Sequence, residues 1–431
     1  MKISEPLPKK AGPGTPGAMI KKSISDRVSR RFFSLDAEAL CQHARQRTGL
    51  HDFGDPPVAP PLSILATSLE DEADLHPLGR FLMRMHLLGL LETRLRLAHD
   101  WQKHRKAFSP VTRPVFITGM PRSGSTFLHE LLALDPNNRS PRAWEVMFPL
   151  PAPDFNHANR DPRIRKAAAC LWWFRRLAPK ADTVYPMRAL TPHECVAIHS
   201  YTFLSEEFVS TCRIPTYEAF LRSEGMRSAY RWQKQFLQHL QSRWPERQWI
   251  LKSPDHLCSL DELFDAFPDA VILHTHRNPL DVLESSIHLT KVLYGLYGRP
   301  GDDVYIQNDQ ARELAVRMKR SLQFRDRHPE LADRFFDINY TEFIANPIAI
   351  IENIYRHLDR PLLPEVMGKM RQLVSTRSRY RHPHFPTFAR LALETTSEVH
   401  QFQNYCQRFG IPCQPAAEPS WVAPQILTHQ G

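Results

Sequence analysis

From residue 114 onward, short apolar runs alternate with amphipathic stretches. PVFITG (114–119), QWILKS (248–253), DAVILHTH (269–276) and RFFDINY (334–340) are brief, rich in β-branched or aromatic residues and closed by a turn, so they read as strands. STFLHELLAL, CSLDELFDAF, LDVLESSIHLTKVL and PIAIIENIYRHL follow them and place apolar residues at helical spacing. This alternation predicts an α/β fold of the P-loop-like kind, a mostly parallel sheet flanked by helices. Residues 25–108 show helical periodicity and no strand pattern, in SLDAEALCQHARQRTG, SILATSLEDEADL and FLMRMHLLGLLETRLRL. Ser34, Asp36 and Glu38 mark a helix start. DPPVAPPLS (55–63) is a proline-marked connection.

The organisation that follows is a disordered basic N-terminus over 1–24, a helical extension over 25–111, an α/β domain over 112–415 and a tail over 416–431. Within the α/β domain, residues 150–245 form a helical insertion rich in aromatic residues (LWWFRRLAP, YTFLSEEF, YRWQKQFLQHL). No internal repeat interrupts this order.

Composition refines the picture only slightly. The chain has 431 residues, 42% of them hydrophobic, and a net charge of +10 from 56 Lys and Arg against 46 Asp and Glu. That surplus suits an anionic ligand, or weak attraction to nucleic acid or acidic lipid, and equally a basic surface with no specific partner. Seven cysteines without a CxxC pair argue for free thiols in a reducing compartment. The N-terminal stretch lacks the apolar core of a secretory signal. The apolar stretch at 81–97 is broken by arginines and a glutamate, which fits an amphipathic helix rather than a membrane span. A cytoplasmic protein without a transmembrane segment is expected.

Two stretches carry candidate chemistry. In GMPRSGST (119–126), Gly119 and Gly124 are separated by four residues, as in a phosphate-binding loop. Ser125 and Thr126 then open a helix whose N–H groups and positive end favour an anion. A nucleotide-hydrolysing loop carries lysine directly after the second glycine, but here Ser125 stands there and the nearest cation is Arg122. Triphosphate hydrolysis is disfavoured, and a 5′-phosphate bearing another leaving group fits better. A plain capped strand–helix turn explains the loop as well, taken alone. In HTHRNPLDVLESS (274–286), Arg277 follows a strand and Ser285 lies eight residues later on the next helix. Both can converge on a second phosphate at the carboxyl ends of parallel strands. The competing reading pairs Arg277 with Asp281 or Glu284.

One loop for a 5′-phosphate and another for a separate phosphate match an adenosine 3′,5′-bisphosphate. On Pro121-Arg122-Ser123-Gly124-Ser125-Thr126, Arg277 and Ser285, the chain resembles the PAPS-dependent sulfotransferases, in particular their bacterial-type branch; PAPS is 3′-phosphoadenosine 5′-phosphosulfate. The resemblance spans residues 112–410 and includes WILKSPDHLCSLDELFDAFPDAVILHTHRNP and DINYTEFIANPIAIIENIYRHL. It departs from many cytosolic members in carrying Arg122 where they carry lysine.

The resemblance implies transfer of a sulfuryl group from PAPS to a hydroxyl of a small-molecule, lipid or carbohydrate acceptor, by in-line displacement and without a metal. It implies Arg122 and the backbone of Ser123, Gly124, Ser125 and Thr126 as the 5′-phosphate clamp, Arg277 and Ser285 as the 3′-phosphate site, and Tyr340 beside the adenine. Lys252, at the end of QWILK, becomes the cation at the sulfuryl group. For the general base, Glu145 in RAWEVMFP ranks first, then His193 with Glu194, with His256 as a further candidate. The basic tract 377–385 is a candidate for the 3′-phosphate. The spacing His193–Cys195–His199 hints at a metal, although a helix surface explains it. The aromatic–basic stretch LWWFRRLAPK is expected to wall an acceptor pocket, without specific nucleic-acid binding. The competing functions are a P-loop kinase or NTPase and a non-catalytic 3′-phosphoadenosine-binding protein of the same fold.

Overall fold

The computed structural model describes residues 30, 32–104, 108–177, 179, 187–299, 301–377 and 396–411. The expected N-terminal disorder, most of the basic tract 377–385 and the 416–431 tail lie outside the described residues.

Five strands form one parallel sheet: β1 (Val115–Gly119), β2 (Asn138–Arg139), β3 (Gln248–Lys252), β4 (Val271–His276) and β5 (Phe335–Asn339), in the order β2-β3-β1-β4-β5. Four of them fall on the apolar runs read from the sequence. β2 has only two residues, both polar, which is why periodicity does not reveal it. Its register against β3 pairs Arg139 with Trp249.

Side-chain alternation divides the core between the two sheet faces. Val115, Ile117, Ile250, Val271, Leu273 and Ile338 pack beneath the helices Ser125–Leu132 and Pro347–His357. Phe116, Leu251, Ile272 and Phe335 belong to a second core with the helices Pro77–His104 and Arg227–Gln241, through Leu91, Trp101, Trp232 and Phe236. The helical extension and the insertion therefore share one core and cover the same face. The apolar stretch 81–97 lies inside the helix Pro77–His104, and among the described residues no helix is long and apolar enough to cross a membrane. The helix Ala37–Thr48 is capped by Asp36, whose carboxylate accepts from Ala39 N at 2.8 Å.

Two local expectations change. Tyr340 does not end β5 but opens the helix Tyr340–Ala345. Trp172 and Trp173, expected in a pocket wall, are 47% and 62% exposed on the helix Pro162–Leu177. That helix turns Ile164, Ala167, Leu171 and Phe174 inward, which leaves the tandem tryptophans on its outer side. Among the described residues, Cys41, Cys170, Cys195, Cys212 and Cys258 are free thiols.

Candidate functional site

All five strands are parallel, so their carboxyl ends share one edge, and the loops leaving β1, β3 and β4 meet there. At the end of β1 the chain turns sharply. Gly119 has φ 149°, and a Cβ there would stand 2.2 Å from Thr275 Oγ1. Gly124 has φ 87°, and a Cβ there would stand 3.0 Å from Cδ2 of Tyr340. Both positions require glycine because the backbone itself packs against β4 and the Tyr340 ring. Ser123 is fully buried, its hydroxyl donating to Met120 O at 2.6 Å and lying 2.7 Å from Thr275 Oγ1. Its N–H turns back to Met120 O at 3.3 Å. Ser123 therefore braces the loop, and Ser125 and Thr126, in the first turn of Ser125–Leu132, lie where helical N–H groups lack intrahelical partners. Thr275 is a bracing residue the sequence did not reveal; its position on the last turn of an apolar strand is the signal available.

Arg122 has φ 66°, a left-handed conformation that costs a non-glycine residue on the order of 1–3 kcal/mol. Contacts on its side chain and its carbonyl hold it there. Its Nε donates to Ser285 Oγ at 2.9 Å, and its carbonyl accepts from Arg277 Nη1 at 2.8 Å. The Arg277 guanidinium also sits 4.3 Å from the centroid of the Tyr340 ring. Arg122, expected at the 5′-phosphate, Arg277 and Ser285, expected at the 3′-phosphate, and Tyr340, expected beside the adenine, thus form one contiguous group. Arg277 also has the acidic neighbour of the competing reading, Asp281 Oδ2 at 3.7 Å from its Nε. Burial, and then the Arg277 charge, lower the Arg122 pKa, so the two cations are held together against repulsion.

Lys252 ends β3 and is 3% exposed, which excludes a solvated strand-end lysine. Its Nζ donates to Thr126 Oγ1 at 3.0 Å and forms an ion pair with Glu194. Cys195 N donates to Lys252 O at 2.9 Å, which ties the Glu194 segment to the strand end. Beneath the loop, His129 Nε2 lies 3.1 Å from Ile250 O; burial, and then Lys252, depress its pKa to about 3.

The other base candidates are not brought to Lys252 in the same way. Glu145 is 1% exposed and caps its own short helix, Ala143–Met147, accepting from Arg142 N at 2.8 Å. Its other oxygen pairs with Arg139 at 3.2 Å, and Arg139 lies over the Trp244 and Trp249 rings at 3.9 and 4.9 Å. Both of its carboxylate oxygens are engaged within this cap and ion pair, whereas Glu194, a lower-ranked candidate, is the one paired with Lys252. His256 is fully buried, with Nδ1 2.6 Å from the Tyr230 hydroxyl, and burial holds its pKa well below the ordinary histidine value. His193 is also buried, and burial lowers its pKa. Its N–H donates to Pro141 O at 2.7 Å. Within the His193–Cys195–His199 spacing, Cys195 and His199 meet at Gln233, which donates to Cys195 Sγ at 3.2 Å and lies 2.7 Å from His199 Nε2.

Comparison with known proteins identifies the family. Residues 114–365 match the model of the sulfotransferase family. The omega-hydroxy-beta-dihydromenaquinone-9 sulfotransferase Stf3 of Mycobacterium bovis is 26% identical over 277 residues, covering 62% of this chain and 68% of that protein. The crystal structure of sulfotransferase STF9 from Mycobacterium avium superposes with a TM-score of 0.75 at 26% identity, over 87% of this chain and 97% of that one. Sulfotransferase STF1 from Mycobacterium tuberculosis gives a TM-score of 0.71 at 25% identity, over 87% and 99%. With the family model matching more than half of its length, and a parallel sheet and phosphate-type loop to go with it, this chain belongs to the sulfotransferase family.

Proposed function

We propose that this enzyme transfers the sulfuryl group of PAPS to a hydroxyl of an apolar, lipid-like acceptor. The observation that carries the donor half is the linked pair of anion-suited loops, Arg122 bonded to Ser285 and Arg277 bonded to Arg122 O. A nucleotide with phosphates at both 3′ and 5′ positions engages both loops at once, whereas adenosine 5′-phosphate engages one. The strained Arg122 and the adjacent guanidinium groups are the kind of stored cost that a bound dianion offsets. In this reading Tyr340, which lies against Gly124 and under Arg277, stacks on the adenine.

In the proposed reaction the helix start at Ser125–Thr126 and Arg122 hold the 5′-phosphate, and Arg277 with Ser285 holds the 3′-phosphate. Lys252 shifts from Glu194 toward the bridging oxygen and sulfuryl group. The acceptor oxygen attacks sulfur in line, the bond between sulfur and the bridging phosphate oxygen breaks, and adenosine 3′,5′-bisphosphate leaves. Glu194, released from Lys252, takes the acceptor proton. Charge develops on the leaving phosphate and the outer sulfuryl oxygens, so fixed cations carry most of the rate enhancement. No step in this scheme requires a metal.

The acceptor half rests on a relative named for a hydroxylated dihydromenaquinone and on the aromatic helical insertion beside Glu194. Thermal-shift measurements with adenosine 3′,5′-bisphosphate, adenosine 5′-phosphate and Mg-ATP test the donor assignment. Stabilisation that requires the 3′-phosphate is expected. Stabilisation by Mg-ATP alone would overturn it in favour of a kinase or NTPase.

A further inference from the structure

The helix Pro162–Leu177 has a composition that the transfer reaction does not use. It holds five basic residues, Arg163, Arg165, Lys166, Arg175 and Arg176, and no acidic one. Its buried side is narrow: Ala167 and Leu171 are buried, and Phe174 packs with Leu82 against Leu296. The opposite side presents Trp172, Trp173 and Leu177 at 47%, 62% and 46% exposure, with Arg165, Lys166 and Arg176 exposed among them. The two indoles meet edge-on at 4.8 Å, and the Arg176 guanidinium lies 5.8 Å from the Trp172 ring.

Exposing tandem tryptophans to water is unfavourable. Indoles alternating with basic side chains suit the boundary between lipid headgroups and acyl chains, where aromatic rings settle and cations find lipid phosphates. The absence of acidic residues on the helix, within a chain of net charge +10, matches a negative surface. The helix also connects to the site. Ala167 packs with Trp144 and Ala189 in one cluster, and Ala189 precedes the segment that carries Glu194. Leu190, next to it, is 50% exposed.

We infer that the outer face of the helix Pro162–Leu177 docks the protein on an anionic lipid bilayer, with Trp172 and Trp173 inserted at the headgroup boundary. This goes beyond the transfer reaction and stands without it, although a bilayer-resident acceptor would then meet the protein beside Glu194. The indoles would enter about 5–10 Å below the surface, with Arg165 and Arg176 at the phosphates.

Vesicle co-sedimentation of the full chain tests the inference. The probes are phosphatidylcholine vesicles and phosphatidylcholine mixed with phosphatidylglycerol, each at low and high salt. Binding is expected to the phosphatidylglycerol-containing vesicles, and to weaken at high salt as screening shortens. R165A/R176A should lose roughly fivefold in partitioning per removed charge. W172A/W173A should lose at least about tenfold, and brominated acyl chains should quench tryptophan fluorescence in the wild type but much less in this variant. Both variants should keep the thermal stabilisation by adenosine 3′,5′-bisphosphate seen in the wild type, which separates this test from the donor assignment. Absence of vesicle binding by the wild type, or undiminished binding by both variants, overturns the inference. So does a wild-type dimer that W172A/W173A converts to monomer without any vesicle binding, because the face would then belong to a second copy of this chain.

Discussion

Arg122 Nε donates to Ser285 Oγ at 2.9 Å, joining a loop after β1 to a helix after β4 across 163 positions of sequence. The contact places a cation and a hydroxyl, each suited to a different phosphate, within reach of one another. Arg277, bonded to the Arg122 carbonyl, completes the arrangement.

The first prediction follows from that link. Arg277→Ala should weaken adenosine 3′,5′-bisphosphate by about 2–3 kcal/mol, the loss expected for a charge-assisted phosphate contact, and leave adenosine 5′-phosphate nearly unchanged. Isothermal titration with both nucleotides reads the difference. Equal losses for the two would mean that Arg277 braces the Arg122 loop rather than binding a 3′-phosphate.

Lys252 and Glu194 should separate by kinetics. Lys252→Ala is expected to lower kcat by about 10²–10³-fold with a much smaller change in nucleotide affinity, as for removal of a transition-state donor. Glu194→Gln should lower kcat by about 10²–10⁴-fold if it takes the acceptor proton. Turnover within twofold of wild type in Glu194→Gln would transfer the role to His193.

Glu145→Gln should act on stability. It leaves Arg139 buried without its carboxylate, a defect worth about 3–5 kcal/mol. Burial already pulls the Arg139 pKa down to about 10, and loss of Glu145 removes the charge opposing that shift. A large fall in Tm with kcat per folded molecule retained is the expected result. A fall in kcat at unchanged Tm would restore Glu145 as the base.

Gly124→Ala forces a Cβ to 3.0 Å from the Tyr340 ring at a φ of 87°. The expected cost is about 1–2 kcal/mol of stability from the conformation alone. Weakened nucleotide binding should accompany it, because Tyr340 must move. Denaturant melts with and without adenosine 3′,5′-bisphosphate measure both effects.

Acid should destabilise the fold before most carboxylates titrate. Burial depresses His129 to about 3 and His199 to about 4, while the unfolded chain takes up these protons near pH 6.5. Their contribution is therefore complete above pH 6.5 and is lost as pH falls toward the folded values, by about 1.4 kcal/mol per pH unit for each histidine. Chemical melts between pH 7 and 4.5 should show this slope, and His199→Asn should flatten it. An unchanged slope in that variant would show that His199 is not buried neutral.

The sequence by itself determined the sheet and its loops. Four strands carry enough apolar residues for their runs to stand out, and the turn at Gly119–Gly124 needs residue types that few other structures demand. The placement of Arg277 after a strand and Ser285 on the following helix was legible because both are local features. What only the tertiary structure decided concerns partners distant in the chain. Glu145 sits in the first turn of one short helix and Glu194 just before another, and the sequence does not say which neighbour each will meet. Packing gave Glu145 to Arg139 and its own helix cap, and Glu194 to Lys252 through the bond from Cys195 N to Lys252 O. Trp172 and Trp173 looked like a pocket wall because aromatic side chains usually seek burial. Which side of the helix faced the core depended on where Leu171 and Phe174 found neighbours, and that left the tryptophans outside.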